Sequence, residues 1–299
     1  MKKCVLFLFC VAFIVICFLN VPGFIDAGRR GLTLFVFNVL PVLFPFFFIS
    51  GLMVESKIFR LHTRAGIVPI WLFSVLSGFP TSAKILSELY EKGEISKKDA
   101  ILTSTFTSTP SPIFVIATIG TILFSNTTLG IKIFIAIIIG ALVNGMLYKC
   151  LIYRRIRTFF NKQISPPTEQ IDIPDVISRA LTSAIQGIFA VGGLIMIFFI
   201  IGSQLDLLMS LSPVLDTIIS STLEMTAGIF RASTYQNMFT PLGTILIPTA
   251  ILAFGGICVG MQGFIFFKKF GMSFWFYLGY KATHTIFSVI AAIMLWLVF

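Results

Sequence analysis

Charge is what this chain has least of. Only 11% of its 299 residues are Asp, Glu, Lys or Arg, against about 25% in soluble domains. Histidine occurs twice, at His62 and His284, and the five cysteines (Cys4, Cys10, Cys17, Cys150 and Cys258) form no close pair. With two histidines and no metal-ligand spacing there is no zinc constellation, and a cysteine inside an apolar run reads as a small hydrophobe. The chain also lacks a Ser/His dyad, paired carboxylates and an HExxH-type metal motif, so no enzyme and no resident cofactor are expected. Among the charges the acidic residues are the scarcer, 12 against 22 basic ones, for a formal net charge of +10. The basic residues sit in short clusters: Lys2 and Lys3; Lys57, Arg60 and Arg64; Lys92, Lys97 and Lys98; Arg154, Arg155, Arg157 and Lys162; Lys268 and Lys269. Such clusters between apolar runs are the positive-inside pattern of a membrane protein. Anionic leaflet lipids, and not nucleic acid, are their expected contact.

What the chain has is apolar length. Apolar side chains make up 57% of it and its mean hydropathy is +1.00. No charge interrupts Cys4–Ile25, Gly31–Val54, Ala65–Ala83, Ala100–Ile131, Ala180–Leu205 or Ala232–Phe267. Crossing the ~30 Å hydrocarbon core takes about 20 apolar residues as helix. The fold class expected is an all-α polytopic membrane protein. Its N-terminus lies in the cytoplasm and its C-terminus outside, with seven spans. The first, over Cys4–Leu19, resembles a signal peptide without an A-x-A site and is read as a retained span. A short turn holding Asp26, Arg29 and Arg30 is expected to follow it. Gly31–Val54 then crosses back, kinked at Pro41 and Pro45.

Two stretches do not fit simple spans. Ala65–Tyr90 has basic clusters on both sides, so it must cross an even number of times, yet it has only 26 residues. Two full spans need about 40. A re-entrant hairpin fits, turning at Ser77–Ser82, because broken backbone at membrane depth is tolerated where protein or a water-filled cavity satisfies it. Ser96 to Asp99 reads as a helix start. The run it opens, Ala100–Ile131, would be ~48 Å of continuous helix, and Pro110 and Pro112 break it instead. After a linker over 163–174, the second half repeats the plan: Val176–Ile201, a hairpin within Ser212–Pro241 turning at Glu224, Leu242–Phe267 broken at Gly255-Gly256, and a last span. Thr81 to Pro110 is 29 residues, as is Thr226 to Gly255. The boundaries expected are 1–30 for the N-terminal helix and turn, 31–162 for a first gate-like repeat and 175–299 for a second. Two inverted-topology repeats, each with a re-entrant hairpin and a broken helix, are a common plan for secondary transporters.

Several of these motifs resemble a known family. Asn38–Phe46, Ser77-Gly78-Phe79-Pro80-Thr81-Ser82-Ala83-Lys84, Ser111–Phe114, Leu223–Gly228 and Ala253–Gln262 are similar, in that order, to the sporulation integral membrane protein family of YlbJ type. The resemblance covers about Leu19 to the C-terminus. It implies a nucleoside-recognition or gate-type membrane domain, a role in endospore formation with dipicolinate as the solute moved, and a forespore or mother-cell membrane as the location.

The candidate solute site comprises Gly78, Pro80, Thr81, Ser82, Lys84, Thr109, Pro110, Ser111, Thr226, Gly255 and Gly256. Half-helix N-termini at such breaks favour an anion, though small residues also serve close helix packing. Lys84 reads as the anion's positive partner, because an ionisable residue at membrane depth is a functional candidate. Its alternatives are snorkelling and an i,i+4 pair with Glu88. Glu224 reads as the coupling or gating group, taking up H+ or Na+, or else as a helix cap. Lys281 and His284 share a face of the last helix, and Lys281 is expected to snorkel to the inner boundary. The bilayer and a small solute are the expected partners, with a second copy of the chain left open. A permease for a small anionic or nucleoside-like solute is the leading reading, and a non-transporting assembly protein of the spore envelope the other.

Overall fold

The computed structural model describes residues 7, 11, 13–15, 17–58, 67–152, 172–208 and 212–298. Half of the first expected span, Arg60, Arg64, the cluster Arg154–Lys162 and most of the expected linker lie outside the described residues. Among the described residues there is no strand. Five helical stretches are long and apolar enough to cross a membrane: Val21–Glu55, Thr127–Ile152, Ile173–Leu205, Pro241–Phe270 and Phe274–Val298. The chain is an all-α polytopic membrane protein.

The first of these stretches corrects the sequence reading. Asp26, Arg29 and Arg30 form no turn; they lie within a helix, α1 (Val21–Leu34), that runs on through a π turn at Phe35–Val39 into α2 (Leu40–Glu55). The break falls earlier, where the Asn20 side chain accepts from the Gly23 N–H. Pro22 then occupies the first turn, where its missing N–H costs nothing. Arg30 is held on the helix surface by Asp26 at 3.2 Å. The π turn lies immediately ahead of Pro41, where the proline ring crowds the carbonyl four residues back. Extra backbone there absorbs the expected kink.

Eleven-residue helices follow in pairs. α3 (Ile67–Ser77) and α4 (Thr81–Glu91) flank the turn at Gly78–Pro80. α5 (Lys97–Thr107) and the π-wound α6 (Ile113–Leu123) flank the break at Ser108–Pro112. At 1.5 Å per residue α3, α4 and α5 are each about 17 Å long, and the wider-wound α6 is shorter still, so none crosses alone. Ser96 caps α5 by accepting from the Asp99 N–H, as its spacing predicts. Then come α7 (Thr127–Ile152) and α8 (Ile173–Leu208). The pairs recur as α9 (Pro213–Leu223) with α10 (Met225–Thr234), and α11 (Pro241–Phe254) with α12 (Gly256–Phe267), before α13 (Phe274–Val298). Short, short, broken, long is thus the order of both halves.

Packing ties the halves together. α7 lies along α13, and both α1 and α2 lie along α8. A Cβ on Gly140 of α7 would sit 2.2 Å from the Ser288 hydroxyl and 2.6 Å from its backbone nitrogen, so the two backbones touch. Asn144, one turn on, donates to the carbonyls of Thr105 (2.9 Å) and Tyr280 (3.2 Å) and accepts from Thr283 (2.7 Å). Small residues and polar side chains are what join helices where burial from water is no driving force. The described basic ends also gather. Lys92 and Arg179 both pair with Glu55, and Lys269 pairs with Glu91, so the ends of α2, α4 and α12 and the start of α8 share one end of the bundle.

The α7–α13 contact predicts a specific sensitivity. Gly140→Ala should cost about 1–3 kcal/mol, the price of overpacking against rigid backbone. Gly193→Ala, whose Cβ would meet nothing within 4 Å, should be silent. Thermal unfolding of both variants in one detergent is the comparison, and equal midpoints would show that the helices separate without penalty.

Candidate functional site

Four interruptions of helical backbone meet in the interior. Gly78, at φ +76°, lies against the second break: a Cβ there would be 2.7 Å from the Ser111 backbone nitrogen. Gly256, at φ +73°, lies against the second hairpin tip: its Cβ would be 2.9 Å from the Ser221 carbonyl and 3.2 Å from the Met225 nitrogen. Phe79 of the first tip reaches the α11–α12 break, 3.6 Å from where a Cβ on Gly255 would be. A larger residue at Gly78 or Gly256 would be strained by conformation and by contact alike. The breaks lie between two apolar cores. One forms around α2, α4 and α8, the other around α6, α7, α10 and α11, and α12 faces one with Cys258 and the other with Val259.

Of the residues expected from sequence, Gly78, Pro80, Thr81, Ser111, Thr226, Gly255 and Gly256 flank these junctions. Thr109 and Pro110 lie in the Ser108–Pro112 break itself, and Ser82 is buried in the first turn of α4. The Thr81 and Thr109 hydroxyls are buried and make no hydrogen bond. Such groups are uncommon in native interiors and need a partner to offset their desolvation. Glu224 sits at the second tip, 6% exposed. Its carboxylate accepts from the N–H groups of Thr226 (3.0 Å) and Ala227 (2.7 Å), so it does cap α10. The same residue lines a cavity of about 490 Å³ between α8 and the second hairpin. Ser203, Ser220, Thr226, Arg30 and the ion-paired Asp216 and Arg231 line it too.

Lys84 does not join this group. It is buried, but it donates to Glu88 at 2.6 Å and to the Phe47 carbonyl at 3.4 Å, and Glu88 in turn bonds Ser183 of α8. The i,i+4 pair read from sequence is therefore formed, and it clamps α4 to α2 and α8. The lysine at the breaks is Lys281. The expected snorkelling is overturned: Lys281 is 0% exposed, donates to the Ser108 carbonyl at 3.2 Å and lies 4.8 Å from the centre of the Phe79 ring. His284, one turn on, faces the Ile137 carbonyl of α7 at 3.1 Å. The usable sequence signal is that Lys281 has no carboxylate within a turn in α13; counting back from the chain end places it at the interface instead.

Across 280 aligned positions the chain is 23% identical to the sporulation integral membrane protein YlbJ of Bacillus subtilis (strain 168), covering 80% of this chain and 67% of that protein. The chain is a relative of the YlbJ type. The similarity expected from the five ordered motifs is thus found across most of the chain. No family model matches it, and no solved structure does.

The Lys84 clamp yields a stability prediction. Lys84→Ala leaves Glu88 without its cation, and breaking a buried pair from one side costs roughly 3–5 kcal/mol. The double variant Lys84→Ala/Glu88→Ala should lose less than the single one. Thermal unfolding of both decides, and a double variant as unstable as the single one would show that the pair is not what holds α4.

Proposed function

We propose that the protein is a membrane transporter, a permease for a small anionic or nucleoside-like solute. The observation that carries this reading is the meeting of four backbone breaks, two from each half, among buried polar groups. Broken helices and hairpin tips converging between two halves are how secondary transporters hold solute and coupling ion. A bundle built only for stability has no need of them, because each break frees backbone groups that are costly to leave unpaired away from water. The recurrent order of short and long helices supports two repeats. The basic clusters support their inversion, with the first hairpin re-entering from the cytoplasm and the second from outside. On this reading the N-terminus is cytoplasmic, and the C-terminus lies outside the cell membrane.

The roles follow from placement. The first tip and the Ser108–Pro112 break hold the solute, with the Thr81, Ser82 and Ser111 side chains orienting it. Glu224, in the wall of the cavity beside the second hairpin, takes up H+ or Na+ in each cycle. The relative's name supports a place in sporulation; on this reading the protein sits in the membrane between mother cell and forespore, and dipicolinate is the solute to try first. One observation favours a non-transporting envelope protein: both Glu224 oxygens already cap α10. Under that reading Glu224→Gln is silent, since an amide oxygen can still accept from backbone N–H groups.

Two measurements test the proposal. In proteoliposomes, solute flux against pH should change shape in Glu224→Gln, and superimposable curves would remove Glu224 from the mechanism. In cells, Glu94→Cys, in the loop after α4 and as the single cysteine once the five native ones are replaced, should be labelled only by a membrane-permeant thiol reagent. Labelling by an impermeant reagent added outside would sink the inverted arrangement.

A further inference from the structure

The sequence singles out Lys84 as the solute's positive partner, and the fold uses that lysine elsewhere. Lys281 is the ammonium that faces the breaks. It has three donors, and the Ser108 carbonyl takes one of them. Among the described residues no carboxylate lies within ion-pair distance of it, whereas Lys84 is held by Glu88. An unpaired cation at membrane depth is expensive to keep. The face of Phe79 offsets part of that cost.

Its surroundings are also unfinished. Thr109 follows the residue whose carbonyl Lys281 holds, and Thr81 begins the half-helix just beyond Phe79; both hydroxyls are buried without a hydrogen-bond partner. No side chain caps the start of α4, whereas Glu224 caps the equivalent α10 with its own carboxylate. The two tips therefore differ in sign. The second carries a built-in anion, and the first has donors, a cation and no anion.

We propose that Lys281, with the Thr81 and Thr109 hydroxyls beside the uncapped start of α4, receives a carboxylate group of the solute. A carboxylate fits because it is acceptor-only and can take several donors at once. This inference rests on the transporter reading and gives Lys281 the place at the solute that the sequence suggests for Lys84.

The test uses the full-length protein in detergent, with succinate, benzoate and uridine as probes, and reads affinity from ligand-dependent thermal stabilisation. Wild type should be stabilised by at least one of the two acids. Lys281→Met should lose that shift, and Lys281→Arg should keep part of it. Thr109→Val, which leaves the ammonium in place, should bind the acid roughly tenfold more weakly, as expected for one hydrogen bond to a charged group. Thr109→Val thus tests the pocket even where Lys281→Met does not fold. The inference is overturned if neither acid stabilises wild type, if Lys281→Met binds the acid as wild type does, or if Thr109→Val leaves its affinity unchanged. Flux in proteoliposomes separates the two layers. Lys281-dependent acid binding without flux would leave this inference standing and end the transporter reading. Uridine flux that Lys281→Met does not alter would do the reverse.

Discussion

Everything in this structure depends on satisfying backbone N–H and C=O groups where water does not reach them. A continuous helix does this internally, and this chain gives up that solution at four places. Each break then needs its own device. Gly255 and Gly256 turn the chain with φ of +84° and +73°. Glu224 accepts from two freed N–H groups at the second tip. Lys281 supplies a donor to the Ser108 carbonyl from a distant helix, and Asn144 does the same for Thr105. The breaks are therefore held by α7 and α13 as much as by their own segments, which is why the tight contact between those two helices matters for the site.

The two halves share an order of elements but not their chemistry. In the first, the hairpin is drawn inward: α4 is buried along nearly its whole length and clamped to α8 through Lys84, Glu88 and Ser183. In the second, α9 and α10 border a cavity whose wall holds the Asp216–Arg231 pair. The first hairpin is thus clamped, while the second lies beside open space. The charges follow the same division, with a lysine behind the first tip and a glutamate on the second.

Most of the architecture is legible in the sequence because apolar length, proline and glycine act locally. A charge-free run of about 20 residues has to span or be buried, and Pro110, Pro112 and Gly255-Gly256 interrupt a helix wherever they stand. The departure at Asp26–Arg30 has a local cause too. Charges there suggest a turn, but on a helix Arg30 lies one turn from Asp26 and pairs with it at 3.2 Å, with both side chains exposed. Asn20, a capping residue, is the better marker of the break.

The roles of the lysines are beyond local reading. Lys84 and Lys281 are each an isolated cation in an apolar helix, and spacing alone favours the first, which stands beside a proline break. Which one faces the breaks depends on helix rotation. α4 turns Lys84 away from the breaks, onto the Phe47 carbonyl of α2, while α13, packed against α7 through Gly140 and Ser288, turns Lys281 onto Ser108, 173 positions earlier in the chain. The pattern of apolar runs and breakers settles where helices begin, end and snap, because those are energies of single residues and their neighbours. Partners for a buried charge are settled by contacts between segments far apart in sequence, and these exist only once the helices have packed.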